Sequence, residues 1–179
     1  MTRVAIIGNA GGGKSTMARR LAAARGLPYH ALDLIQWRPG WQPVSQHEYD
    51  SRHDAIIAGE RWILDGFGDL ASVDRRIEAA DTIVFVDHPL WVHLWWATKR
   101  QLRSLFAGRP DGPPGCPMWR KTWPLYRMIW SIHRALRPLL LEKIAAAADA
   151  GKSSHHLHSP RELAAFGRRY ALAGQRIIP

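Results

Sequence analysis

The chain of 179 residues has the length of one domain, and its 46% hydrophobic and 22% charged residues are typical of a folded globular protein, which excludes wholesale disorder. No apolar run is long enough to span a membrane, no signal peptide is indicated, and the single cysteine, Cys116, excludes an internal disulfide, so we expect one cytoplasmic domain over 1–179. The net charge of +10 favours polyanionic partners such as nucleotides, phosphorylated metabolites, nucleic acid or an anionic membrane.

Strands and helices are predicted to alternate along the chain. The predicted strands are 3–7, 29–32, 61–64, 82–86 and 153–157, and the predicted helices are 14–25, 48–59, 90–106, 123–150 and 160–173. Proline and glycine predict loops at 37–43 and 108–117, and Pro138 is expected to kink or split the helix that contains it. This alternation predicts an α/β fold whose parallel sheet is covered by helices on both faces.

The first predicted strand leads into a glycine loop that matches the Walker A pattern G-x-x-x-x-G-K-[ST] and opens the first helix. Glycines let successive backbone N–H groups turn toward a phosphate, and the helix N-terminus adds its dipole. Lys14 is expected to reach the β- and γ-phosphates and Ser15 to ligate Mg²⁺, so the predicted cofactors are ATP, or another nucleoside triphosphate, and Mg²⁺. The predicted nucleotide-binding residues are Gly8, Asn9, Ala10, Gly11, Gly12, Gly13, Lys14, Ser15 and Thr16.

Three aspartates, Asp33, Asp65 and Asp87, follow predicted strands. Ligands of an open α/β sheet bind beyond the carboxyl ends of its strands, so these side chains are expected near the glycine loop. Asp65 is predicted to hold Mg²⁺ through water on the substrate side, with capping of the turn before Gly66 as the alternative. Asp33 is predicted to position or deprotonate a substrate hydroxyl, or else to cap the following turn. The position of Asp87 before His88 favours a structural role.

Tryptophan is abundant, and indoles beside cations can stack on nucleic-acid bases. Trp37 and Trp41 flank a Pro-Gly turn after Asp33, and we expect them either to contact a substrate or to pack. A helical stripe of apolar residues in 90–106 predicts packing in the core. The stripe comprises Trp91, Trp95, Trp96, Leu102 and Phe106.

The positive charge is concentrated between 99 and 137, a stretch that we call the basic segment. It contains nine basic residues and one acid, which gives +8 of the total charge. Arg100 and Arg103 lie three apart on one helical face and Arg109 opens a Pro/Gly loop, so all three are predicted to close as a lid over the transferred phosphate. The alternatives are a solvated basic face and a surface for nucleic acid or an anionic membrane.

Three histidines, His155, His156 and His158, cluster in and after the fifth predicted strand. Two of them share a face of that strand, but no cysteine or acid lies beside them in the sequence. We therefore do not expect a metal site there. Cys116 is likewise expected to be a packing thiol.

Further motifs spread over nearly the whole chain. They are Leu32 to Trp37 with Pro39-Gly40-Trp41, Leu64 to Phe67, the Arg-Pro-Asp and Gly-Cys-Pro elements in 109–117, and Ser159 to Glu162. Together with the Walker A loop they make the sequence resemble the adenylate-kinase-like P-loop kinases, and more closely the FlaR-type DNA topology modulation proteins. The resemblance implies a three-layer P-loop NTPase fold with a five-stranded parallel sheet ordered 2-3-1-4-5 and a helical lid inserted between strands 4 and 5. Arg161, after the fifth strand, is expected beside the adenine.

One position departs from the nucleoside monophosphate kinases that the sequence resembles. In those proteins Asp-Gly-Phe is often followed by Pro-Arg, whose arginine holds the acceptor phosphate, whereas Gly68 and Asp69 follow here. A carboxylate at that place repels a phosphorylated acceptor. The departure favours an acceptor without phosphate, or one whose phosphate is held elsewhere.

The predicted function is transfer of the γ-phosphoryl group of ATP to a small-molecule acceptor. Lys14, Asp33, Arg100, Arg103 and Arg109 are the predicted catalytic residues, Asp33, Trp37 and Asp65 contact the substrate, and Ser15 and Asp65 hold the metal. The alternatives are a nucleic-acid-associated ATPase that uses the basic segment and a nucleotide-dependent switch that signals to a protein partner.

Overall fold

The computed structural model describes residues 1–107, 112–117 and 122–174, so the predicted lid residue Arg109 lies outside the described residues. The strands are β1 Arg3–Gly8, β2 Tyr29–Ala31, β3 Trp37–Arg38, β4 Gln42–Pro43, β5 Trp62–Asp65, β6 Thr82–Val86 and β7 Ser153–Leu157. The helices are α1 Lys14–Arg25, α2 Leu32–Gln36, α3 Gln46–Ile57, α4 Leu70–Ala79, α5 Leu90–Ala107, α6 Thr122–Ser131, α7 Arg137–Asp149 and α8 Pro160–Gly174. Within these ranges, no helix combines the length and apolar character that crossing a membrane requires.

Five parallel strands form the central sheet in the order β2-β5-β1-β6-β7. In the register of the sheet, Ala5 of β1 lies opposite Leu64 of β5 and Ile83 of β6. Counting only these five strands along the chain, the order is 2-3-1-4-5, so the predicted topology is confirmed. The switch in strand order at β1 places the glycine loop at the centre of the carboxyl edge.

Helices cover both faces of the sheet, as predicted. The buried strand β1 alternates between two cores, with Ala5 and Ile7 on one face and Val4 and Ile6 on the other. Residues of α3, α4 and α7 fill the first core, and residues of α1 and α8 fill the second. This is the three-layer α/β architecture, built because a strand that is apolar on both sides needs helices on both sides.

Three local features differ from or add to the prediction. The predicted loop 37–43 contains a small hairpin in which β3 and β4 are antiparallel and a 3₁₀ turn, Pro39–Trp41, joins them. Helix α4 was not predicted, although Asp69 and Ser72 form a capping box at its start. The long helix is split as expected: a π-helical turn, Ile132–Leu136, precedes α7, and a proline lies in the first turn of α7.

The predicted core stripe on α5 is wrong. Trp91 and Trp95 are 69% and 61% exposed, and Leu102 is 57% exposed. Trp96 alone of the three tryptophans packs against a buried cluster, where it meets the second core. The side chain of Phe106 lies outside the described residues. Trp91, Trp95 and Leu102 face solvent because Val92, His93 and Ala97, on the other side of the helix, are the buried residues.

Candidate functional site

The glycine loop is held tightly between β6 and α5. Gly8 has a φ of 141°, and a Cβ atom there would lie 2.3 Å from the carbonyl oxygen of Val86. Gly13, which caps the N-terminus of α1, has a φ of 76°, and a Cβ atom there would lie 2.9 Å from the Trp96 ring. Both positions therefore require glycine, for the backbone conformation and for the close approach of a neighbour.

Asn9 ties the loop to the helical layer around it. Its side-chain Nδ2 donates to the backbone oxygen of Ile129 in α6 at 2.7 Å, and its Oδ1 accepts from the backbone N–H of Ala10 at 2.8 Å. A histidine supports the loop from α5, since His93 Nδ1 lies 3.0 Å from the Ala10 oxygen. Burial and the charge of Lys14 lower the pKa of His93 to about 4, so its ring is neutral.

Lys14 is folded over the loop in this structure. Its Nζ donates to the backbone oxygen of Asn9 at 2.6 Å. Burial lowers the pKa of Lys14, whereas the nearby carboxylates of Asp65 and Asp33 oppose that shift. Burial therefore disfavours the charged form of Lys14, and an anion bound at the loop would favour it.

Asp65 ends β5 beside the start of α1. It is 3% exposed, and its Oδ2 accepts from the Tyr29 hydroxyl at 3.3 Å. Burial raises the pKa of Asp65, while Lys14 and a hydrogen bond from Ser15 lower it. The structure thus brings together Ser15 and Asp65, the two predicted metal ligands.

A magnesium ion is implied by the Walker A loop, and the residues fit it. Asp65 Oδ1 is buried without a hydrogen-bond partner in the structure. A buried carboxylate oxygen without a partner is costly, and a hard cation that prefers oxygen ligands would satisfy it. The hydroxyl of Ser15 supplies a second oxygen at the same place.

Asp33 lies near Lys14 and Asp65. It is half-buried in the first turn of α2, and its charge acts on both Lys14 and Asp65. The alternative role as an N-cap does not apply, because Ala31 occupies that position. Asp33 is therefore a carboxylate close to Lys14 and is not the N-cap of α2.

The hairpin of β3 and β4 follows α2, the helix that carries Asp33. Trp37 and Trp41 meet edge to face, with ring centroids 5.6 Å apart. Three hydrogen bonds, together named the hairpin contact, join this hairpin to 112–117. They are Gly40 N–H to the Gly115 oxygen at 2.9 Å, Trp41 Nε1–H to the Pro117 oxygen at 2.9 Å, and Cys116 Sγ–H to the Arg38 oxygen at 3.2 Å.

The arginines predicted to bind phosphate or adenine differ in how exposed they are. Arg100 is half-buried, and its charge contributes to the lowered pKa of Lys14. Arg103 and Arg161 are exposed, the latter in the first turn of α8. Of the two predicted lid arginines within the described residues, Arg100 is the one whose charge acts on Lys14.

Asp87 has the structural surroundings that the sequence favoured. Its Oδ1 accepts from Arg137 Nε at 2.7 Å and its Oδ2 accepts from His156 Nε2 at 2.8 Å. Burial opposes ionisation, but these two hydrogen bonds lower the pKa of Asp87. The carboxylate is charged and joins β6 to α7 and β7.

Sequence reasoning missed Arg76, which shapes the loop after Asp65. This arginine is 0% exposed, and its guanidinium donates to the backbone oxygens of Gly66, at 2.8 Å, and Phe67. Burial lowers the pKa of Arg76 to about 10.

Asp69, which we expected to face an acceptor, accepts from Ser72 N–H at 2.8 Å as the cap of α4. The capping box at Asp69 and Ser72 was the sequence feature that could have predicted α4. Once the start of α4 is known, Arg76 falls on its buried face.

Comparisons with known proteins agree with this architecture. No protein-family model matches the chain. A cytidylate kinase from Methylocella silvestris is 33% identical over 112 residues, which cover 61% of this chain and 49% of the relative. The match thus spans about half the length of that protein.

Several solved kinases share the fold. A shikimate kinase from Acinetobacter baumannii in complex with shikimate aligns over 99% of this chain and 96% of its own, with a TM-score of 0.58 and 14% identity. A gluconokinase from Sinorhizobium meliloti aligns over 97% and 90%, with a TM-score of 0.51 and 17% identity. The chain therefore has the P-loop kinase fold of these proteins.

Proposed function

We propose that this chain is a kinase that transfers the γ-phosphoryl group of ATP to a small hydroxylated molecule. The observation that carries the proposal is the arrangement around Lys14, which puts a buried ammonium group, Ser15, the unpartnered Asp65 oxygen and Asp33 together at one end of the glycine loop. Phosphoryl transfer needs this combination of an anion cradle, a metal ligand and a carboxylate on the acceptor side. The cytidylate kinase relative supports the same class of reaction.

Each predicted residue has a role in this proposal. The loop from Gly8 to Thr16 holds the triphosphate, and Lys14 leaves the Asn9 oxygen to contact the β- and γ-phosphate oxygens. Ser15 and Asp65 hold Mg²⁺, which neutralises charge on the phosphates. Arg161 lies beside the adenine.

The acceptor side completes the reaction. Asp33 positions the acceptor hydroxyl and takes its proton as the new oxygen–phosphorus bond forms and the bond to the β-phosphate oxygen breaks, releasing ADP. Trp37 packs against the acceptor. Arg100, Arg103 and Arg109 close over the transferred group as a lid. This lid belongs to the basic segment, 99–137, within a single domain over 1–179.

The test is a screen of purified chain with ATP and Mg²⁺ against nucleosides, nucleotides and sugar acids. Cytidylate, shikimate and gluconate, which the names of the similar proteins suggest, come first. We expect one acceptor class to consume ATP, and Lys14→Ala to lower the rate about a hundredfold or more. The kinase proposal fails if wild type and Lys14→Ala behave alike across the panel. If only phosphorylated acceptors consume ATP, the kinase proposal stands, but our inference that Asp69 disfavours a phosphorylated acceptor is wrong.

A second candidate follows from the exposed indoles and from the resemblance to FlaR-type proteins. Helices α5 and α6 run antiparallel, because Thr98 contacts Tyr126 at 2.8 Å and Gln101 contacts Thr122 at 3.1 Å. Their solvent side carries the four exposed tryptophans of the described chain. These are Trp91, Trp95, Trp123 and Trp130.

Cations accompany this aromatic surface. The guanidinium of Arg134 lies 5.5 Å from the centre of the Trp130 ring, and Arg127 is exposed one turn after Trp123. Indoles beside arginines suit single-stranded nucleic acid, so this face supports a nucleic-acid-associated ATPase. DNA affinity that falls steeply with salt, together with ATP hydrolysis that no small acceptor stimulates, would favour that function over the kinase.

A further inference from the structure

The carboxyl ends of β6 and β7 bring three potential metal ligands together, away from the Ser15 and Asp65 pair. Asp87 directly follows β6, His156 lies in β7 and His158 follows β7. One ligand atom from each of these side chains lies within 4.8 Å of the other two. Spacing along the chain did not predict this cluster, because Asp87, the acid that completes it, lies 69 residues from His156 in the sequence.

The direction of the histidines follows from the alternation of side chains along β7. His155 points to α8, where its ring contacts Phe166 at 5.0 Å and Tyr170 at 5.4 Å between centroids. His156 points the opposite way, toward Asp87, and the His158 ring lies 3.8 Å from the His156 ring. Two imidazoles and a carboxylate therefore share one side of the strand, and His155 is excluded from it.

The carboxylate is oriented as a metal ligand would be. Asp87 is 7% exposed, and Arg137 holds its Oδ1 at 2.7 Å, which leaves Oδ2 directed at His156. A hydrogen bond to the second oxygen of a ligating carboxylate is a common support in metal sites. Arg137 therefore fixes the position of the carboxylate and leaves the ligand oxygen on the histidine side.

We propose that Asp87, His156 and His158 bind a transition-metal ion, with Zn²⁺ as the best match and a water molecule as the fourth ligand. Two imidazole nitrogens and one carboxylate oxygen are donors that suit zinc, whereas Mg²⁺ prefers oxygen ligands. A tetrahedral zinc site separates its ligand atoms by about 3.3 Å. The exposed His158 side chain closes the remaining gap by a small rotation, and His156 turns its Nε2 from Asp87 to the ion.

A metal ion at this place would connect several elements of the fold. It would tie the end of β6 to the end of β7, and Arg137 already links Asp87 to α7. The loop that begins at His88 leads into α5, the helix against which the glycine loop packs. A metal ion here would therefore stiffen the wall of the nucleotide site without contacting the phosphates.

The test is isothermal titration of tag-free protein with ZnCl₂, without nucleotide and with excess Mg²⁺ to fill oxygen-rich sites. We expect uptake of one Zn²⁺ in the micromolar range or tighter. His158→Ala and His156→Ala are each expected to weaken binding by about tenfold or more. His155→Ala is the matched control, since it removes an imidazole from the same strand but from the other face, and its affinity is expected to equal that of wild type.

Cobalt gives an independent readout of geometry. Co²⁺ bound in place of Zn²⁺ is expected to give the visible absorption of a tetrahedral complex in wild type and His155→Ala, and to lose it in His158→Ala. Because His158 is exposed, that variant is expected to fold, and a circular dichroism spectrum checks this. Absence of zinc uptake, or equal affinity in wild type, His156→Ala and His158→Ala, would overturn the proposal.

Discussion

At the scale of single residues, the site is built from side chains whose burial is unfavourable without a ligand. Lys14 and Asp65 are pushed toward their neutral forms by burial, in opposite pKa directions, although each opposes the shift of the other. One oxygen of Asp65 has no hydrogen-bond partner. Buried charged groups of this kind are common in binding sites, where a bound anion and cation offset the cost of their desolvation. A nucleotide and its metal ion would do so here.

The role of Asp65 is tested by Asp65→Asn. The amide keeps the shape but not the charge, so Mg²⁺ binding should weaken and the rate at saturating ATP should fall about a hundredfold. Initial rates measured over a range of Mg²⁺ concentrations check this. Asp74→Asn is the matched control, because its carboxylate pairs with Lys143 at 2.7 Å on the surface of α4. An unchanged Mg²⁺ dependence in Asp65→Asn would remove Asp65 from the metal site.

At the scale of elements, α4 shows how one cap shapes the chain near the site. Asp69 and Ser72 form the capping box that starts the helix, and the helix then directs Arg76 inward to the Gly66 and Phe67 oxygens. The loop after Asp65 thus depends on a helix that does not itself reach the phosphates.

Removal of the cap should therefore be costly. Asp69→Ala is expected to lower the free energy of unfolding by about 1 kcal/mol, the usual value for a lost N-cap. Urea denaturation followed by circular dichroism measures the change. Glu78→Ala, an exposed carboxylate near the other end of α4, is the control and should be nearly neutral. Equal losses in the two variants would contradict the capping role.

A second element-scale contact joins the chain start to β6. Asp81 Oδ2 accepts from Thr2 N–H at 2.7 Å and from Arg3 N–H at 2.9 Å, and its Oδ1 accepts from the Thr82 hydroxyl at 2.7 Å. Burial opposes ionisation, but these hydrogen bonds lower the pKa of Asp81 from 3.8 to about 2. The charged carboxylate therefore stabilises the folded chain.

The pH dependence of that contribution has a definite sign. Because the folded pKa is below the unfolded one, the stabilisation is complete above pH 3.8 and is lost as the pH falls toward about 2. Asp81→Asn should be less stable than wild type by about 2 kcal/mol at pH 7, and the difference should shrink across that acid window. Chemical denaturation at a series of pH values checks it, and a constant difference down to the lowest pH would contradict it.

At the scale of the whole molecule, the sequence predicts what is local and misses what is brought together from afar. The Walker A loop is one contiguous pattern, so the sequence was enough to locate Lys14 and Ser15, and the strand ends located Asp65. Asp87, Arg137 and His156 come from three separate elements, and no spacing along the chain connects them. The exposure of Trp91 and Trp95 was missed for a related reason: a helical stripe predicts one shared face but not which of two faces meets the core.

The hairpin contact also joins residues that are far apart in the sequence. The substitution Trp41→Phe tests whether this contact holds the hairpin in place. Phenylalanine keeps an aromatic ring but removes the indole N–H that donates to Pro117. We expect faster backbone hydrogen exchange in 37–43, with the glycine loop unchanged. Trp123→Phe, at an indole that is 74% exposed, is the matched control. Equal exchange in both variants and wild type would show that the contact does not hold the hairpin.

The same contact has a consequence for ligand binding. Pro117 and Gly115 belong to the stretch between α5 and α6, whereas Gly40 and Trp41 border the place proposed for the acceptor. A ligand that displaced the Trp41 indole would break its hydrogen bond to Pro117 and so loosen the connection between the hairpin and 112–117.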